Sequence, residues 1–100
     1  MKYNKLVRDR IPEIIKRQGG KAIVHVASRK EYWQKLKKKL VEETIEFVEK
    51  ESPEEISDIL EVVDAICVFK GFDKRELWKV QRRRAKERGV FKKRIILEES

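Results

Sequence analysis

The sequence predicts a mainly α-helical bundle with a minor pair of short strands. Three observations carry that reading. Apolar residues recur at helical spacing through three long stretches. Each stretch opens on a capping residue (Ser28, Ser52 or Asp73), and the last two close on glycine, Gly71 and Gly89. β-Branched residues crowd together in only two short places, residues 21–27 (KAIVHVA) and 94–97 (RIIL).

Residues 6–18 read as the first helix, with Leu6, Val7, Ile11, Ile14 and Ile15 apolar. Pro12 lacks an amide donor, so the helix proper starts near Ile11, after a turn at Arg8-Asp9-Arg10. Gly19-Gly20 ends it. Residues 21–27 read as a strand. Ser28 with Glu31 forms a capping box for a second helix running to about Lys50. Ser52-Pro53-Glu54-Glu55 combines an N-cap, a proline in the first turn and an acid at the third position. The third helix then runs from Pro53 to Lys70 and stops at Gly71. Asp73, with Glu76 three residues on, caps a fourth from Lys74 to about Arg88. Residues 94–97 read as a second strand able to pair with residues 23–26. No repeat, low-complexity segment or long linker interrupts the chain, so residues 1–100 form a single domain.

Two carboxylate pairs, Glu43-x-x-Glu46 and Glu55-x-x-Asp58, sit on consecutive helices. Residues three apart are neighbours on a helix, so each pair puts two acids on one side. On a wheel at about 100° per residue, Trp33, Leu36, Leu40 and Phe47 form the apolar stripe of the second helix. Glu43 falls inside it, Glu46 at its edge, and Glu42 points well away. On the third helix Ile59, Val62, Val63, Ile66 and Phe69 form the stripe. Glu55 falls inside it and Asp58 at its margin; Glu61 lies further round and Asp64 on the other flank. An unpaired charge aimed at the interior is costly. A metal or a basic partner removes that cost, and clustered carboxylates suit a hard ion such as Mg²⁺ or Mn²⁺. The plainer reading makes Glu55 half of a capping box and both pairs a solvated face, since 18 acids in 100 residues make such spacings common.

The chain is 40% apolar and 44% charged, with a net charge of +8 that favours polyanionic partners. The excess of Lys, Arg and Glu fits helices, and fits a heat-adapted source. The one cysteine, Cys67, lies in an apolar helical run and reads as a core residue. Met1-Lys2-Tyr3-Asn4 leads straight into charged sequence, so no signal peptide is expected, and the apolar runs are too short to span a membrane. A cytoplasmic protein is the expectation. His25, the single histidine, reads as a surface residue. No Gly-rich phosphate loop, Ser-His-Asp set or Cys/His zinc spacing is present.

Three basic clusters remain. They are Lys5, Arg8 and Arg10; Lys35 with Lys37 to Lys39; and Lys79, Arg82 to Arg84, Lys86 and Arg88 leading into Lys92, Lys93 and Arg94. The middle cluster reads as a solvated face. The last is dense enough to track a phosphate backbone or to hold a triphosphate beside a metal.

Glu42-Glu43-Thr44-Ile45-Glu46 followed by Glu55-Ile56-Ser57-Asp58 matches an EExxE and ExxD pair of metal motifs. With the opening Tyr3-Asn4-Lys5-Leu6-Val7-Arg8-Asp9-Arg10-Ile11-Pro12 and the ending Arg88-Gly89-Val90-Phe91, the whole chain resembles a MazG-like nucleotide pyrophosphohydrolase. That family belongs to an all-α superfamily that includes phosphoribosyl-ATP pyrophosphohydrolases. The resemblance implies Mg²⁺-dependent hydrolysis of a nucleoside triphosphate to monophosphate and pyrophosphate. It also implies a homodimer or homotetramer whose bundle is built from two chains, and a role in clearing non-standard nucleotides. Two departures stand out. Only eight residues separate Glu46 from Glu55, and Glu61-Val62-Val63-Asp64 offers a longer, more typical gap. Val90 stands where a second glycine is expected.

On this reading Glu43, Glu46, Glu55 and Asp58 are the metal ligands, with Mg²⁺ or Mn²⁺ the ion. Glu43 and Glu46 are the candidate catalytic residues, and Glu46 is a candidate for orienting or deprotonating the attacking water. Lys5, Arg8, Lys92 and Arg94 are candidates for neutralising the substrate phosphates. The main rival is a non-enzymatic basic helical protein that binds nucleic acid, which leaves the inward acids unexplained. A third reading is a metal-binding oligomer without activity.

Overall fold

The computed structural model describes residues 4–100. Tyr3, at the start of the opening motif, lies outside the described residues. Four helices follow in order: α1 (Ile11–Arg17), α2 (Arg29–Glu49), α3 (Pro53–Lys70) and α4 (Lys74–Arg88).

Their ends follow from local hydrogen bonding. The Arg10 carbonyl accepts from Ile14 N–H at 3.0 Å, so α1 starts at the turn before Pro12. Gly20 N–H closes it on Ile15 O at 2.9 Å. Ser28 Oγ accepts from Glu31 N–H at 3.2 Å, and Ser52 Oγ from Glu55 N–H at 3.4 Å. Gly71 ends α3 in the left-handed region, at φ 71°, where a side chain would be strained. At α4 the cap differs from the expected box: Asp73 Oδ1 accepts from Arg75 N–H at 2.8 Å, one residue earlier than the spacing to Glu76 suggests.

The strand pair does not form. Residues 21–28 and 94–97 carry no strand, and no strand is present among the described residues. Isolated two-strand ribbons are marginal without a core to cover one face. Here Ile23 and Val26 are 87% and 97% exposed, and Ile95 to Leu97 are as open. Arg94, at φ 55°, also breaks the extended run at its first residue.

α2 and α3 form an antiparallel hairpin, the one extensive helix–helix interface among the described residues. The tight turn between them is closed by Ser52 N–H donating to Lys50 O at 2.8 Å. Far from that turn, the Trp33 and Phe69 rings stack with centroids 5.1 Å apart, and Tyr32 meets Phe69 edge-on at 5.6 Å. Leu36, Val62 and the thiol of Cys67 form the buried core. That core is thin. The radius of gyration is 17.7 Å, against about 13 Å for a compact chain of this length. A second set of apolar residues faces outward: Val41, Ile45 and Val48 on α2, and Ile56, Leu60 and Val68 on α3. No helix among the described residues is long and apolar enough to cross a membrane.

Candidate functional site

The hairpin brings the predicted acids together near its closed end. Ligand-type oxygens of Glu43, Glu55 and Asp58 lie within 4.8 Å of one another, and so do those of Glu42, Glu43 and Glu46. Glu43 belongs to both groups and is the buried member; Glu55 and Asp58 are half-buried, and Glu46 is exposed. The alternative pair does not join them. Glu61 is exposed and Asp64 pairs with Lys74 at 3.0 Å.

Two carboxylate oxygens here, Glu43 Oε2 and Glu55 Oε2, are buried without a hydrogen-bond partner among the described residues. Such groups are rare in folded proteins because each forfeits its hydration. Glu55 explains its own case. Only half of its capping box forms: its N–H reaches Ser52 Oγ, while Ser52 N–H donates to Lys50 O instead of the Glu55 side chain. That carboxylate is left facing the cluster.

Glu42 is the acid that the wheel misplaces. Its Oε1 accepts from Lys39 Nζ and Lys5 Nζ, each at 3.4 Å, which turns it toward Glu43 and Glu46. A wheel positions Cβ atoms; a long side chain bends around the helix to reach a charge. Lys39 and Lys35 depart from expectation in the same way. Both are half-buried, not part of a solvated face. Lys39 Nζ lies 3.2 Å from Glu43 Oε1, and Lys35 Nζ donates to Asn4 O at 2.6 Å.

The segment before α1 lies across both helices of the hairpin. Lys5 pairs with Glu42 on α2, while Arg8 donates to Asp58 Oδ1 at 2.7 Å and approaches Glu61 at 3.5 Å on α3. Lys5 and Arg8, the predicted phosphate ligands, therefore border the acids and remain about half exposed. A cavity of about 250 Å³ opens beside them, lined by Asn4, Lys5, Lys35, Lys38, Lys39 and Glu42. Acids and bases alternate across a few ångströms here, a donor set suited to a hard dication next to an anion.

The charges perturb one another. The neighbouring Glu43 charge, then burial, pushes the Glu46 carboxyl above its ordinary value. Burial pulls the Lys39 ammonium down, but its hydrogen bonds to Glu43 and Glu42 and their charges outweigh that and hold it above its ordinary value.

Lys92 and Arg94, also predicted to bind phosphate, lie in the exposed turn after α4 and pair with no acid of the cluster among the described residues. His25 pairs with Glu31 at 3.0 Å on the surface, away from the acids. No protein-family model matches the chain, and neither a curated protein nor a solved structure matches it.

Proposed function

We propose that this chain is a MazG-like nucleoside triphosphate pyrophosphohydrolase dependent on Mg²⁺ or Mn²⁺, which converts a triphosphate and water to a monophosphate and pyrophosphate. The observation that carries the reading is the pair of buried, unpartnered oxygens on Glu43 and Glu55, grouped with Asp58. A hard dication would be held by Glu43, Glu55 and Asp58, with Glu46 completing the set through its neighbour Glu43. When bound, such an ion offsets charge on the phosphate oxygens and at the scissile phosphorus.

The chain's own groups supply the rest. Glu46 is exposed and its carboxyl is raised, so it is suited to orient the attacking water and accept its proton. Lys5 and Arg8, with Lys35 and Lys39 in the adjacent cavity, neutralise the phosphates and stabilise the departing pyrophosphate. The outward apolar residues of α2 and α3 pack against a second copy in a homodimer or homotetramer, which would give the thin core the cover it lacks.

The experiment is to incubate the purified protein with standard and damaged nucleoside triphosphates, with Mg²⁺ and with chelator, and assay for pyrophosphate. Mg²⁺-dependent pyrophosphate with the matching monophosphate is expected. Release of single phosphate, or no turnover across the panel, overturns the reading. Sedimentation velocity tests the assembly, and a monomer at micromolar concentration contradicts it.

A further inference from the structure

The chain's positive charge is unevenly placed. Residues 74–100 hold eleven basic and four acidic side chains, a net +7, against +1 for residues 1–73. Most of that excess sits on α4, where every residue but the half-buried Ala85 is exposed. The acidic cluster lies on α2 and α3, and its ion pairs draw on Lys5, Arg8 and Lys39, none of them from α4.

The basic residues of α4 include an ordered row. Arg75, Lys79, Arg82 and Lys86 follow one another at four-, three- and four-residue steps. Such steps keep them within about 60° of each other over about 16 Å of helix. Only Lys79 has an acidic partner among the described residues, the exposed Glu76 at 3.3 Å. Trp78 flanks the row, 69% exposed, with the Arg82 guanidinium 5.7 Å from its ring centroid. An exposed indole beside a row of cations, three of them without an acidic partner among the described residues, is chemically specific. Cations alone fit any polyanion, while an open aromatic face adds a platform for an unpaired base.

We propose that this face of α4 binds single-stranded nucleic acid, with Arg75, Lys79, Arg82 and Lys86 on the phosphates and Trp78 stacked on a base. The surface is independent of the hydrolase reading and needs no metal. A second copy docked face to face is disfavoured, because it sets the row of cations against its own duplicate. A duplex presents phosphates but no free base for Trp78.

The test is fluorescence anisotropy of a labelled mixed-sequence oligonucleotide of about twenty bases with the 100-residue chain, in chelator, across a salt series. Four phosphate contacts predict a slope of log affinity on log salt of about −3. Arg82→Glu is expected to lower affinity about ten-fold, and Trp78→Ala by roughly the same factor. Arg84→Glu makes the same charge change on the opposite side of α4 and should cost less than about three-fold. Circular dichroism confirms that each variant is folded. No binding at low salt overturns the proposal. So do equal losses for Arg82→Glu and Arg84→Glu, equal affinity for the matching duplex, or equally strong capture by phosphatidylserine vesicles.

Discussion

Lys39 Nζ lies 3.2 Å from Glu43 Oε1, one turn earlier on the same helix, while the other oxygen of Glu43 has no hydrogen-bond partner among the described residues. The Lys39 and Glu43 side chains are 17% and 8% exposed, so neither charge is well hydrated. Lysine thus covers one side of the most enclosed acid in the cluster and leaves the other side open. Lys39→Met removes the only cation paired with that carboxylate among the described residues. It is expected to lower stability by about 2 kcal/mol. Mg²⁺ should restore much of the loss. Urea denaturation with and without the ion measures both effects. A variant as stable as the parent without the ion would show that the pair does not hold the site.

Glu43→Gln keeps the shape of the side chain and removes its charge. Turnover with Mg²⁺ should fall by about a hundred-fold or more, with the helical circular dichroism unchanged. A variant that still releases pyrophosphate at the parent rate would remove Glu43 from the proposed site.

The Glu46 carboxyl is held up first by the charge of Glu43, then by burial. Because its folded-state value is raised, its contribution to stability is fully present below the ordinary value of 4.5 and is lost as pH rises through the raised value. Without metal, Glu46→Gln should flatten that fall. NMR titration of the Glu46 carboxyl carbon should place its midpoint above 4.5 in the parent and lower it in Glu43→Gln. A midpoint that does not move in the variant rules out Glu43 as the cause.

Arg8 joins the segment before α1 to Asp58 and Glu61 on α3. Its side chain is 53% exposed, so the pairs are screened. Arg8→Ala should cost less than about 1 kcal/mol of stability. If Arg8 also meets substrate phosphate, KM for the triphosphate rises about ten-fold with kcat less affected. An unchanged KM would leave Arg8 as a structural tie only.

Leu36 is 1% exposed at the centre of the hairpin. Leu36→Ala should cost about 3 kcal/mol, read as a lower urea midpoint. A loss below about 1 kcal/mol would mean that the interface collapses around the gap.

The helices and most of the acidic cluster can be read from local features of the chain. Ser28, Ser52, Gly71 and Gly89 mark helix ends through hydrogen bonds and backbone angles confined to a few residues. Glu43, Glu55 and Asp58 were legible as inward acids because Leu36, Val62 and their neighbours fix which face of each helix is covered. Which partners those acids meet depends on how the segments pack. The turn of Glu42 toward the cluster depends on where Lys39 and Lys5 reach, and the Arg8–Asp58 pair joins residues fifty positions apart. The strand pair failed for the same reason: residues 21–27 and 94–97 have strand-forming side chains, but a strand exists only when another lies beside it over a covered face. Caps and periodicity act over one or two turns of chain, whereas ion pairs and ladders require neighbours that are set only once the hairpin has closed.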